Sequence, residues 1–192
     1  MKFVRCIFLL VCVGVMAGGA LSQSQTPSAP SSGFRAEFFR QWDDLEKKIV
    51  SLAEATPPDK YAWRPAQSVR STGEVFAHIA EGNYGYMRWL GVQPPADVDL
   101  KTIEQIAEKT KIIDLLKRSF DHVRQTVLKI SDADLENPVK MMNRDGTVRE
   151  AIFFVATHQP EHLGQSIAYA RMNNIVPPWT AKRQAQQEQK KN

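Results

Sequence analysis

The residues best suited to chemistry lie in 157-THQPEHLGQ-165, where His158 and His162 stand four apart with Glu161 between them. On a helix, positions i and i+4 are neighbours on one face, so two imidazoles so placed can share one ion. The same residues also spell H-x-x-E-H, in which two histidines hold zinc and the glutamate polarises a water. That chemistry needs a further acidic ligand downstream. Only Glu188 follows, inside a polar C-terminal stretch, so the zinc-peptidase reading is the weaker one. Two ordinary helix residues are the third reading. A metal centre requires a further nitrogen donor from another part of the chain.

Helical phase supplies one candidate. On a helix opening at Ser71, the inner stripe is Val75, His78, Ile79, Gly82, Tyr86 and Trp89. On a later helix, Ala151, Val155, His158, His162, Gln165 and Tyr169 share a face by steps of three and four. His78, His158 and His162 would then converge as a three-nitrogen platform with positions left for water or substrate. Three polar rings in one bundle core are costly unless something organises them. Gly82, one turn past His78, leaves room beside that ring. Gln165 is placed to hydrogen-bond behind His162, and Glu74 is a weaker candidate for the same service to His78. His122, the fourth histidine, falls opposite the apolar stripe of its own helix and reads as a surface residue. Pro160 removes one amide and crowds the carbonyl of Ala156, which predicts a bend between the two histidines. Trp63, Trp89 and Trp179 could line a cleft, although aromatic rings at helix ends more often serve packing.

Four helical patterns must position these groups. Phe34, Phe38, Trp42, Leu45, Ile49 and Leu52 make one narrow stripe, ended by Pro57 and Pro58. The second helix starts with a capping box, Ser71 with Glu74. The third runs from about Thr102 to Ile130, with Ile106, Ile113, Phe120 and Val127 spaced by seven. The fourth follows a turn at 143-NRDG-146, is capped by Thr147 with Glu150, and closes near Asn173 before Pro177 and Pro178. No alternating run argues for a strand. The expected fold is all-α, a four-helix bundle with a crossover connection over residues 34–180. The connections between the first and second helices and between the second and third are both long enough for the crossover.

The flanks read differently. Lys2 and Arg5 precede the apolar run 6-CIFLLVCVGVMAGGA-20, and Ala20 with Ser22 fits a cleavage site before Gln23. Residues 1–22 thus read as a signal peptide, and the protein as exported to a periplasm or medium. The run is short for a membrane span. Retention as an anchor or lipidation at Cys12 are the weaker options. Residues 23–33 read as a flexible linker and 181–192 as a frayed polar tail. Both cysteines, Cys6 and Cys12, fall in the leader, which leaves no thiol for catalysis or disulfides. Cleavage leaves 23 of 25 Lys and Arg against 21 Asp and Glu, a net charge of +2. That balance gives no argument for nucleic acid. No nucleophile elbow and no Gly-rich phosphate loop is present.

Two segments carry a family resemblance. The stretch 61-YAWRPAQSVRSTGEVFAHIAEGNYGYMRWL-90 resembles the DinB/YfiT-like superfamily, with its Trp-Pro lead-in, capped second helix and inward histidine. The stretch 158-HQPEHLGQSIAYARMNNIVPP-178 is similar to the family's fourth helix, where H-x-x-x-H precedes Gly-Gln and a C-terminal proline. The agreement spans about Phe34 to Trp179. It implies a bundle with a crossover connection and a divalent ion, nickel or zinc, held by His78, His158 and His162. It also implies a metal-dependent thiol S-transferase or isomerase using a low-molecular-weight thiol, often as a homodimer. The leader departs from this pattern, because the family's thiols are cytoplasmic. Pro160 and Glu161 inside H-x-x-x-H have no role carried over. A non-catalytic bundle that binds a small molecule or another chain is the alternative.

Overall fold

The computed structural model describes residues 29–191; the leader, its two cysteines and most of the linker lie outside them. Four long helices form the body: α1 (Gly33–Ala55), α2 (Thr72–Met87), α3 (Lys109–Lys129) and α4 (Val148–Met172). A short helix, α5 (Pro178–Gln189), follows. Each body helix buries one stripe. Along α3 the buried residues Ile112, Leu116, Phe120, Val123 and Val127 follow steps of four and three. Trp42 of α1 sits at the centre with no exposed surface. Its ring stacks on Phe38 at 5.4 Å, tilts against Phe120 at 4.8 Å, and donates from Nε1 to the Phe120 carbonyl at 3.1 Å.

α2 packs against α3 and α4, and α1 packs against the same two helices. Helices α1 and α2, consecutive in sequence, therefore stand at opposite corners, as do α3 and α4, and the connections over residues 56–71 and 130–147 both cross the bundle. Among the described residues no helix is long and apolar enough to cross a membrane.

Both capping boxes form as the sequence predicts. Ser71 Oγ accepts from the Glu74 amide at 3.3 Å, while Glu74 Oε2 accepts from the Ser71 amide at 2.7 Å. Thr147 and Glu150 repeat the exchange at 3.2 and 2.9 Å. These bonds fix where α2 and α4 begin, and hence the phase of every histidine on them.

Three expectations need correcting. First, α3 begins at Lys109, not near Thr102. Ile103 and Ile106 are anchored separately: Ile103 is buried in a 3-10 turn, Ile103–Gln105, and Ile106 adopts an extended conformation. The seven-residue spacing from Ile106 to Ile113 is thus not one helical stripe. Second, a small antiparallel hairpin, β1 (Pro138–Met141) with β2 (Arg144–Thr147), precedes α4. Its turn is Met142–Asn143, not 143–146, and Met142 takes φ 51°. Only Met141 of the hairpin is fully buried, so no alternation signals it. A Cβ at Gly146 would lie 2.7 Å from both Met141 Sδ and Glu150 Oε2, so a larger residue there would have to displace those two side chains. Third, the polar segment beyond Pro178 is helical rather than frayed. Pro178 stands at its N-terminus and Ala, Lys, Arg, Gln and Glu, all good helix formers, fill it.

A polar ladder crosses the core. Gln159 Nε2 donates to Asn83 Oδ1 at 2.6 Å, Asn83 Nδ2 to Ser119 Oγ at 3.0 Å, and Ser119 Oγ to the Leu116 carbonyl at 2.8 Å. All three side chains are fully buried. The ladder ties α4 to α2 and α2 to α3.

Candidate metal centre

His78 projects from the middle of α2, two turns past its cap; His158 and His162 project from α4. Since α2 and α4 pack together, the three rings meet. Ring centroids are 4.5 Å apart for His158 and His162, 4.7 Å for His78 and His162, and 5.6 Å for His78 and His158. One ring nitrogen from each falls within 4.8 Å of the others. The rings are half-buried and stand beside the buried stripe of α4, which runs through Ile152, Val155, Gln159 and Leu163. The cluster is therefore at the edge of the core, where one side stays open. α4 passes through Pro160 as one continuous helix.

The hydrogen bonds of the rings assign their nitrogens. Gln165 Nε2 donates to the Tyr169 hydroxyl at 3.0 Å, which points its Oε1 at His162 Nδ1, 3.1 Å away. In this orientation the amide oxygen accepts, an arrangement that suits a proton on His162 Nδ1 and a lone pair on Nε2. His78 Nδ1 lies 2.7 Å from Glu104 Oε1, so it too is the protonated nitrogen. His158 has no such choice. Its Nε2 faces His162 Nε2 at 3.2 Å, and its Nδ1 is buried without a partner. If Nε2 carries the proton, a lone pair is orphaned on Nδ1. If Nδ1 carries it, two lone pairs face each other. A cation between the Nε2 atoms removes that repulsion. Two nitrogens bonded tetrahedrally to zinc stand about 3.3 Å apart. The observed 3.2 Å matches this, so the residues fit a divalent ion of the kind that prefers imidazole.

Electrostatics favour the neutral form of two of the rings, His158 and His78. Burial, then the neighbouring His162 and His78 and the Arg70 charge, lowers the His158 pKa to about 4. Burial also lowers that of His78, against the pull of Glu104. Neutral rings offer lone pairs at neutral pH.

One wall of the site is aromatic. Tyr86 meets His158 edge-on at 5.1 Å and packs on Phe154 and Trp89, while Phe154 stacks on His158 at 6.2 Å. Of the other two tryptophans, Trp63 packs edge-on against Tyr169 at 5.4 Å, and Trp179 packs near α1. The three tryptophans do not share a cleft. Gly82 makes room for His158 rather than His78: a Cβ there would lie 3.3 Å from His158 Cε1 and 3.1 Å from Tyr86 Cε2.

Other residues also fall away from their expected places. Glu74 is engaged by its own cap and by Arg64 at 2.8 Å, so it does not serve His78. Glu161 is exposed and outside the ligand groups found among the described residues. His122 is half-buried, not on the surface: its ring packs at 5.1 Å on Tyr84, and its Nε2 is buried without a partner. It takes no part in the three-ring cluster.

The sequence reading missed Glu104 and Arg70. Arg70 grips Glu104 with two bonds, Nε to Oε2 at 2.9 Å and Nη2 to Oε1 at 3.1 Å. No local pattern announces this, because Glu104 lies 26 residues from His78 in an irregular connection.

Comparison with known proteins agrees with the fold. Residues 41–166 match the sequence profile of the DinB superfamily. A DinB-like protein from Bacillus cereus superposes with a TM-score of 0.66 at 15% identity, covering 73% of this chain and 93% of its own. A DinB-like protein from Bacillus subtilis gives 0.57 at 18% identity, with the same coverages. A conserved protein from Enterococcus faecalis gives 0.57 at 13% identity, covering 73% of this chain and 97% of its own. At these identities the likeness is one of fold. No curated protein matches the chain in sequence.

Proposed function

The chain belongs to the DinB superfamily, and from that premise we propose that it is an exported protein holding one nickel or zinc ion on His78, His158 and His162, for a metal-dependent transferase-type reaction on a small molecule. The observation that carries this is the pair of imidazole nitrogens 3.2 Å apart with a third ring alongside. Gln165 orients His162 from behind. Tyr86, Phe154 and Trp89 keep water from one side of the rings. The open side admits the substrate, which the family resemblance suggests is a low-molecular-weight thiol or its electrophilic acceptor. A bound ion would supply Lewis acidity at that open side. Export rests on the leader pattern of residues 1–22.

The test begins with the mature chain, purified without a histidine tag, and elemental analysis. About one ion per chain is expected, or uptake of one on adding nickel or zinc. No bound metal and no uptake would sink the site. A panel of thiols with electrophilic acceptors then separates the enzyme from a non-catalytic binder. Turnover that a chelator abolishes marks the transferase.

Gly82→Ala probes the same geometry from the other helix. The added methyl pushes on Tyr86 and His158, while replacing a glycine inside a helix adds about 1 kcal/mol of stability in return. Thermal stability should therefore change little, and calorimetry should show nickel or zinc affinity reduced about tenfold.

A further inference from the structure

We propose that Glu104 is a positioning residue for the metal centre: held by Arg70, it fixes His78 as the Nδ1–H tautomer and so keeps Nε2 free for the ion. The inference rests on the three-histidine reading above and adds a residue from the α2–α3 connection that neither motif contains.

The geometry is specific. Glu104 Oε1 lies 2.7 Å from His78 Nδ1, a short bond to a charged acceptor. The carboxylate is itself immobilised by the two-bond grip of Arg70. Arg70 immediately precedes the Ser71 cap, so its backbone is fixed by the start of α2. On the other side, the buried Ile103 anchors the 3-10 turn that carries Glu104. The arginine, just ahead of α2, therefore holds the carboxylate against a ring about two turns into that helix. With both of its oxygens bonded by the Arg70 guanidinium, the carboxylate can only accept.

Glu81 also approaches His78 Nδ1, at 3.6 Å, and has no cation within ion-pair distance among the described residues. His78, Glu81 and Glu104 could thus be read as a separate ion site. The Arg70 guanidinium argues against that, because it already occupies both Glu104 oxygens with positive charge. A carboxylate backing a ligand histidine raises the basicity of the ring and sets its orientation; losing such a partner typically costs 10- to 100-fold in metal affinity.

The experiment titrates nickel, then zinc, into the metal-free full-length mature protein, its Glu104→Ala and Glu104→Gln variants, and Arg70→Ala. Nitrogen-15 spectra of the imidazoles are recorded on the metal-free forms. Glu104 is partly exposed on a connection, so the fold should survive its replacement. The expected result is one ion per chain throughout, with affinity about 10- to 100-fold lower in Glu104→Ala. Glu104→Gln should be intermediate, because its amide oxygen still accepts from Nδ1. His78 should be purely Nδ1–H in the wild type and a tautomer mixture in Glu104→Ala. A merely structural role would leave that spectrum unchanged. Wild-type affinity or an unchanged tautomer in Glu104→Ala overturns the proposal while leaving the three-histidine site standing. Two ions in the wild type falling to one in Glu104→Ala also overturns it, making Glu104 a ligand. A wild type that takes up no ion overturns both readings.

Discussion

His158→Ala should abolish stoichiometric uptake of nickel or zinc without unfolding the protein. The ring is half-buried and leaves one nitrogen unsatisfied, so deleting it from the metal-free chain removes an orphaned polar atom along with some packing on Tyr86 and Phe154. The two losses oppose each other, and metal-free stability should change little. Metal binding should not recover, because only two nitrogens remain. An ion present at about a thousandfold over its dissociation constant stabilises a fold by about 4 kcal/mol. For a domain of this size that raises the melting temperature by roughly 10 °C. The wild type should show that rise on adding the ion and His158→Ala should not; an equal rise in both would contradict the assignment. The same residue sets a pH response in the metal-free protein. Its folded pKa of about 4 lies below the unfolded value near 6.5. Between those values the unfolded chain holds the extra proton, so stability rises with pH and is lost as pH falls from 6.5 towards 4. Melting curves at pH 7 and pH 5 should differ more for the metal-free wild type than for His158→Ala. The remaining slope would come partly from His78, which burial shifts in the same direction.

The largest loss of stability is expected from Trp42→Ala. Trp42 has no exposed surface, contacts the rings of Phe38 and Phe120, and supplies a hydrogen bond to the Phe120 carbonyl. Truncating a buried tryptophan typically costs 3–5 kcal/mol through lost transfer energy and an unfilled cavity. That corresponds to a melting temperature lower by roughly 10 °C or more. Trp42→Phe keeps most of the volume and drops the N–H, so it should cost about 1–3 kcal/mol. Chemical denaturation of the metal-free forms measures both. A loss below 1 kcal/mol for Trp42→Ala would mean that α1 is not held where it is described.

What could be read from the chain and what could not divide by range. The two capping boxes are local, four-residue signals, and both formed. The phases of His78, His158 and His162 follow from helical repeat once the caps are known, so their convergence needed only that α2 and α4 pack together. Glu104 could not be found this way. Its approach to His78 depends on how the connection over residues 88–108 folds back, and the apparent seven-residue repeat through Ile106 suggested a helix there instead. Gly82 was placed on the correct face but assigned to the wrong ring, because a glycine accommodates whatever the opposite helix presents. His122 was misjudged because phase along α3 ignores Tyr84, which covers it from α2. The hairpin escaped notice because its strands are short and charged, with one buried side chain between them.

The buried ladder of Gln159, Asn83 and Ser119 bears on all of this. Gln159 is the residue next to His158, and Asn83 the one next to Gly82. Apolar stripes alone pack almost as well after one helix slides a turn past another, a shift of about 5.4 Å. Such a slide would strand two amides in the core without partners, and it would carry His158 and His162 out of reach of His78. The ladder thus works as a vernier mark between α2 and α4: it admits one alignment of the two scales, and the three histidines are read off at that alignment.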